Sequence, residues 1–406
     1  MRKAMNALWF KLKWFVKYRA MLLFHDKSEK NVGLVVNSFN KGGLEQMVLS
    51  LYRAYKAHGW NVYILSAFND APLARELDDL RDVYIFNNSP EQLIAFCYQK
   101  HINVLHYHYN TLLMRAAKQM GIKVLYTMHN VYSWFTNDEF AAYAARLCKA
   151  DCIVAVSDYV KAYYVKRAAL CAGSALATGN VIAIPNGVDF AQLDVQPNAP
   201  HLTRAALGIA ENAKTIVFVG SFNPVKHQIG MLGVMEKLVL RHPEAMLLYL
   251  GNTDNTAYFS AFEKALAACG AKANVRLLAH IDNRYMGHFL RECTDIFTLP
   301  TLQEGFALSS LEAVYAAKPA VITETGGAEC LRQYKSCIVV PAAYADIVTT
   351  DTSEMNRLSL QTENRNTDAL VNAFCEILEH LDEYNAEAAI SAQAVSAYSV
   401  QRMTDE

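Results

Sequence analysis

The stretch Pro300-Thr-Leu-Gln-Glu-Gly-Phe-Ala-Leu-Ser-Ser-Leu-Glu-Ala-Val314 follows the apolar run Ile296–Leu299 and carries two carboxylates, Glu304 and Glu312. The pattern puts Glu304 in a loop and Glu312 inside a helix that begins near Ala307–Ser309. A helix start presents unpaired N–H groups and positive dipole, a seat for an anionic phosphate. Carboxylates flanking that seat repel phosphate and accept hydrogen bonds from hydroxyls. A ligand with a central diphosphate and polyol groups on both sides satisfies every group at once, which describes a nucleotide sugar. Two isolated glutamates would read more simply as a solvated loop and a helix face.

Other candidates also follow apolar runs. Gly220-Ser-Phe-Asn-Pro-Val-Lys226 comes after Thr215–Val219 and sets a cation at a helix start, a position that a solvated surface lysine would fill equally well. Ser38-Phe-Asn-Lys-Gly-Gly-Leu-Glu45 follows Val32–Val36 and carries the pair Gly42 and Gly43, a turn that is common after strands. Histidines cluster in His106-Tyr-His108 and in Thr127-Met-His-Asn130. Alternating histidines can bind metal, but spacing identifies no third ligand, and Cys148 and Cys152 lack a second close cysteine pair. No metal site is expected. Ser157 reads as a helix cap and Asn186-Gly187 as a turn.

The elements that must position these residues are short β-branched runs alternating with helical stretches. Seven fall at 32–36, 62–65, 83–86, 104–107, 124–128, 153–156 and 181–184, and six more at 215–219, 245–250, 275–278, 296–299, 320–323 and 338–340. Continuous hydrophobicity marks strands covered on both faces, hence parallel sheets flanked by helices. The expected class is α/β, two doubly wound Rossmann-like domains facing across a cleft, with ligands at the carboxyl ends of the strands. The expected order is an N-terminal segment 1–30, a first domain 31–190, a linker 191–212, a second domain 213–380 and a helical tail 381–406. One C-terminal helix is expected from Asp368 to about Ala397.

A chain of 406 residues, 53% hydrophobic and 19% charged, fits two buried cores and excludes disorder. A net charge of −1 gives no basic field for nucleic acid. Residues 1–25 hold six basic side chains, no acidic one and several aromatics, leaving 32 basic and 39 acidic elsewhere, a net −7. That composition suits an anionic membrane surface, although its cations scatter around a helix, so packing on the first domain is the alternative. The nine cysteines are expected to be reduced thiols in the cytoplasm. Peripheral contact with the inner membrane face is the expectation, without a spanning helix.

Glu304-Gly-Phe306, Glu312, Ala317-Lys-Pro319 and Gly326-Gly-Ala-Glu329 closely resemble the signature of the family-four retaining glycosyltransferases of GT-B fold. The resemblance covers roughly 32–342. It implies that Glu304 contacts donor-sugar hydroxyls, that Glu312 holds the ribose, and that backbone from Gly305 through Phe306, Ala307, Leu308 and Ser309 meets the diphosphate. Lys226 resembles the diphosphate-binding lysine of the family's phosphate loop. Ser221 stands where that loop usually has Arg, and Ala307 where relatives usually have Gly. Gly42 and Gly43 resemble the family's glycine pair, and His129 its active-site histidine, with Asn130 and Trp134 shaping the pocket. The implied activity is metal-independent, retaining transfer of a hexose from a nucleotide diphosphate sugar, UDP being the expected nucleotide, to a glycan or lipid-linked acceptor, as in polysaccharide biosynthesis. No cofactor beyond the donor is implied. Two rivals are a nucleotide-sugar epimerase and a noncatalytic partner subunit, the latter suggested by Ser221 and by a short return of the C-terminus to the first domain.

Overall fold

The computed structural model describes Val16 and residues 30–406, apart from 41–42, 69–70, 78, 173–179, 196–198 and 279–280. The basic segment 1–25, except Val16, and Gly42 lie outside the described residues. Asn31–Val36 (β1) is buried at every position, as an apolar run needs to be when helices cover both faces of its sheet. It joins β2 (Asn61–Ser66), β3 (Val83–Ile85), β4 (Val104–His108), β5 (Lys123–Met128), β6 (Cys152–Ala155) and β7 (Val181–Ala183) in one sheet. The second sheet comprises β8 (Lys214–Val219), β9 (Ala245–Leu250), β10 (Val275–Leu278), β11 (Ile296–Leu299), β12 (Ala320–Thr323) and β13 (Cys337–Val340).

The strand orders are β3-β2-β1-β4-β5-β6-β7 and β10-β9-β8-β11-β12-β13. Pairing is parallel throughout, for example Leu34 with Ile64 and His106, and Val217 with Leu248 and Phe297. The thirteen expected strands are all present. Chain order reverses between β1 and β4 and between β8 and β11, and sheets of this kind bind ligands beside that reversal. The loops after β1, β4, β5, β8 and β11 therefore meet where the two sheets face each other.

Direct bonds join the two halves. The Gln303 side-chain amide donates to the Val131 carbonyl at 2.5 Å and to Asn130 Oδ1 at 3.2 Å, and the Ser133 hydroxyl donates to Gln303 Oε1. Ser157 Oγ accepts the Val160 N–H at 3.1 Å, the expected cap, and donates to the Gly305 carbonyl at 2.8 Å. Its one hydroxyl starts a helix in the first half and grips the second.

Two expectations about the C-terminus are corrected. Two helices, Thr367–Glu379 and Leu381–Val395, replace the single one, because the His380 backbone leaves the helical region (φ −125°, ψ 33°). The bend lays the second helix against Leu308–Tyr315, so residues from 381 onward pack into the fold. The return to the first domain is complete. Helix Val400–Asp405 buries Met403 in the β1–β2 core beside helix Gly43–Ala57, the Gly187 N–H donates to Met403 Sδ at 3.3 Å, and Val188 pairs with Ser399. Among the described residues no helix is long and apolar enough to cross a membrane.

Candidate active site

Glu304 and Lys226, 78 positions apart in sequence, form an ion pair, with 12% and 22% of their side chains exposed. Lys226 ends the 3-10 turn Pro224–Lys226, which Asn223 caps through its side chain. His227 follows in the left-handed region (φ 60°), so Lys226 precedes the helix Gln228–Leu238 instead of starting it. His227 is buried, and its Nε2 accepts from Asn364 Nδ2 at 2.8 Å, which fixes the turn that aims the lysine. An ammonium so placed neutralises Glu304 and can meet an entering phosphate.

A cavity of about 270 Å³ surrounds this pair. The second half lines it with Lys226, Glu304, Phe306, Ala307, Leu308 and Ser309, and the first half with Gly43, Leu44, Met47, Tyr109, His129 and Asn186. Most of the candidates read from sequence thus meet in one place. A larger open hollow of about 520 Å³, lined by Tyr344, Arg357 and Arg365 among others, touches none of them.

Four of the expected site features lie outside the lining or are already engaged. Ser221 does not line the cavity, because its carbonyl is turned to Gln228 Nε2 at 2.9 Å and the loop is held there. The N–H groups of Ala307 and Leu308 already donate to the Gly326 and Phe306 carbonyls, at 3.2 and 3.0 Å, so not all the amides from Phe306 to Ser309 await an anion. Gly305 is outside the lining. A Cβ there would overlap the His129 carbonyl, and its own carbonyl abuts Gly326. Glu312, in the helix Leu308–Tyr315 as expected, also stays out of the lining. Its carboxyl group has no hydrogen-bond or ion-pair partner among the described residues, and desolvation pushes it up to about 7.

The histidines form a connected set. His106 Nε2 meets Thr127 Oγ1 at 2.7 Å and its Nδ1 meets the Tyr55 hydroxyl at 3.3 Å, while His108 Nδ1 meets His129 Nε2 at 2.8 Å. Among the described residues no three or more His, Cys, Asp or Glu side chains could hold a metal ion. Burial lowers His106 and His227 to about 4 and His129 to about 3. These rings stay neutral in the fold but take up protons near pH 6.5 when unfolded, so their stabilisation is complete above pH 6.5 and is lost as pH falls towards 4. At pH 5 the loss is about 2 kcal/mol for each of the fully buried pair His106 and His227. Urea midpoints at pH 7.5 and pH 5 should show it, and equal midpoints would contradict the buried neutral assignment.

Sequence reading passed over Tyr109 and Gln303. Tyr109 has a left-handed backbone (φ 61°), a rare conformation for a bulky side chain, and projects into the cavity beside His129, with ring centroids 5.8 Å apart. Its place just past the His106-Tyr-His108 strand end was the available signal. Gln303 directly precedes Glu304 and is only 1% exposed, an unusual place for a loop amide unless something across the cleft receives it.

Residues 201–348 match the family model described as glycosyl transferases group 1, and residues 41–192 that of glycosyltransferase family 4. A D-inositol 3-phosphate glycosyltransferase of Jonesia denitrificans is 24% identical over 338 residues, 74% of this chain and 79% of that protein. One from Kineococcus radiotolerans is 26% identical over 153 residues, 36% of this chain, so the chain spans about a third of that relative's length (35%). In structure, a glycosyltransferase of Rickettsia africae superposes with a TM-score of 0.73 at 17% identity, covering 93% of this chain and 96% of that one. The Anabaena protein HepE in complex with UDP-glucose superposes at 0.69 and 16% identity, covering 92% and 97%. The fold is α/β GT-B, and the matches support a glycosyltransferase of group 1.

Proposed function

We propose that this chain transfers a sugar from a nucleotide diphosphate sugar, UDP being the nucleotide, to a glycan or lipid-linked hydroxyl, with retention and without a metal. The Lys226–Glu304 pair within the shared cavity carries the reading. A diphosphate entering beside the helix Leu308–Tyr315 takes Lys226 as its counter-ion, and the freed Glu304 carboxylate accepts hydroxyls of the donor sugar. The developing charge on the leaving diphosphate is met by Lys226 and by those amides at the helix start that are not already engaged, and the enzyme works by positioning and charge stabilisation. HepE was solved with UDP-glucose, which supports the choice of UDP. Titration with UDP, followed by measurement of UDP release from UDP-glucose and a panel of other UDP-sugars, tests this. No binding of any of them would refute it. Ser221 favours one rival, a noncatalytic subunit, which would bind UDP and turn over none of the donors.

Glu312 adds a pH dependence. Burial pushes its carboxyl up to about 7 in the ligand-free fold, and although it stands outside the lining of the cavity, a ribose that reaches it would donate its hydroxyls to the carboxylate form. UDP affinity should therefore rise with pH up to about 7 and level off above. Glu312→Gln should flatten the profile, and an unchanged slope in that variant would remove Glu312 from the nucleotide site.

A further inference from the structure

His129 lines the cavity, and its Nε2 is occupied by His108 Nδ1 at 2.8 Å. Burial keeps both rings neutral, so each carries one N–H and one lone pair. Two arrangements satisfy the bond: His108 donates from Nδ1, or His129 donates from Nε2. The rest of His108 decides between them. Its ring is 0% exposed and its Nε2 has no hydrogen-bond partner. If His108 accepted at Nδ1, its proton would sit on Nε2 as a buried N–H with nothing to meet. If it donates from Nδ1, only a lone pair is left over, and buried donors without partners are rarer than under-satisfied acceptors. His106 cannot relieve that atom, because its two nitrogens are engaged by Tyr55 and Thr127 and its ring lies tilted beside His108 with centroids 4.3 Å apart.

We propose that His108 is a positioning residue whose Nδ1–H holds His129 as the acceptor at Nε2, so that His129 carries its proton on Nδ1 and offers that N–H to a sugar hydroxyl oxygen in the cavity. This is the less populated form of a free neutral imidazole, which prefers its proton on Nε2. With Nε2 taken, whatever His129 gives a ligand it gives through Nδ1. The identity of the hydroxyl rests on the nucleotide-sugar reading above, whereas the proton's location does not.

Histidine-selective ¹⁵N labelling of the ligand-free full chain at pH 7.5, with two-bond nitrogen–proton correlations, reads the location directly, and His129→Ala assigns the ring. The expected spectrum has Nδ1 of His129 at the protonated position and Nε2 at the unprotonated one. In His108→Leu, His129 should revert towards Nε2–H, and UDP-glucose turnover should fall while UDP affinity stays within about twofold of the parent. A proton on Nε2 of His129 in the parent protein overturns the proposal, even if the leucine variant does not fold. An unchanged His129 spectrum in a folded His108→Leu overturns it equally. Absence of UDP binding alongside the expected spectrum would sink the functional reading and leave the positioning role standing.

Discussion

Lys226→Ala is expected to weaken UDP binding roughly ten- to hundredfold, whereas Glu304→Gln strengthens UDP binding and removes turnover. The first figure follows from losing a charge-assisted bond, about 1.5–3 kcal/mol. The opposite sign of the second follows from the ion pair: in the empty cavity Glu304 and the entering diphosphate compete for the same ammonium. Glutamine keeps the shape, withdraws the competing charge, and leaves a weaker acceptor for the donor sugar. Measuring UDP and UDP-glucose affinities side by side separates the two halves of the ligand, since Glu304→Gln should favour UDP and penalise the sugar. If both variants bind UDP like the parent, Lys226 is not the diphosphate ligand.

Gly305→Ala should be almost as damaging, although position 305 bears no functional group. A methyl group there would enter the space of the His129 carbonyl and crowd the Asn130 Cα, both backbone atoms that cannot swing aside. The halves must separate, which strains the Ser157 bond to the Gly305 carbonyl and the Gln303 bonds to Asn130 and Val131. Overpacking of this kind costs about 1–3 kcal/mol in stability. The effect on catalysis is larger, because a displacement of about 1 Å between His129 and Glu304 can lower the rate roughly a hundredfold. Turnover should collapse while Tm falls only modestly. A variant with full activity would show that the two walls of the cavity need not be held at this spacing.

The thirteen strands were legible because most are nearly continuous apolar runs, and such runs mark a sheet covered on both faces whatever the loops contain. Residues following those runs were legible for the same reason, since topology brings strand ends together: Glu304 after β11, Lys226 after β8 and His129 after β5 share one cavity. What local pattern does not encode is pairing across the cleft. Lys226 read as a waiting phosphate ligand because its partner stands 78 positions away. Gln303 gave no periodic or motif signal, yet its amide bridges the halves. Ser221 illustrates the converse: the resemblance assigned its position to the phosphates, but the Gln228 amide holds its carbonyl and the side chain stays outside the lining. The break at His380 escaped notice because helical residues continue on both sides of it, and only docking on Leu308–Tyr315 requires the turn.

The pairing of Val188 with Ser399 has a mechanical meaning. Backbone passes from the first half to the second just beyond Val188 and comes back just before Val400, and the two passages are bonded side by side, Val188 N–H to the Tyr398 carbonyl at 2.9 Å and Val400 N–H to the Val188 carbonyl at 3.1 Å. One covalent passage would act as a swivel, free to twist. Two bonded in parallel, like the spine of a book, resist torsion and sliding of one half against the other. The Gln303 and Ser157 bonds join the halves at a second place, in the loops that carry His129 and Glu304, so sliding is resisted where the cavity walls meet.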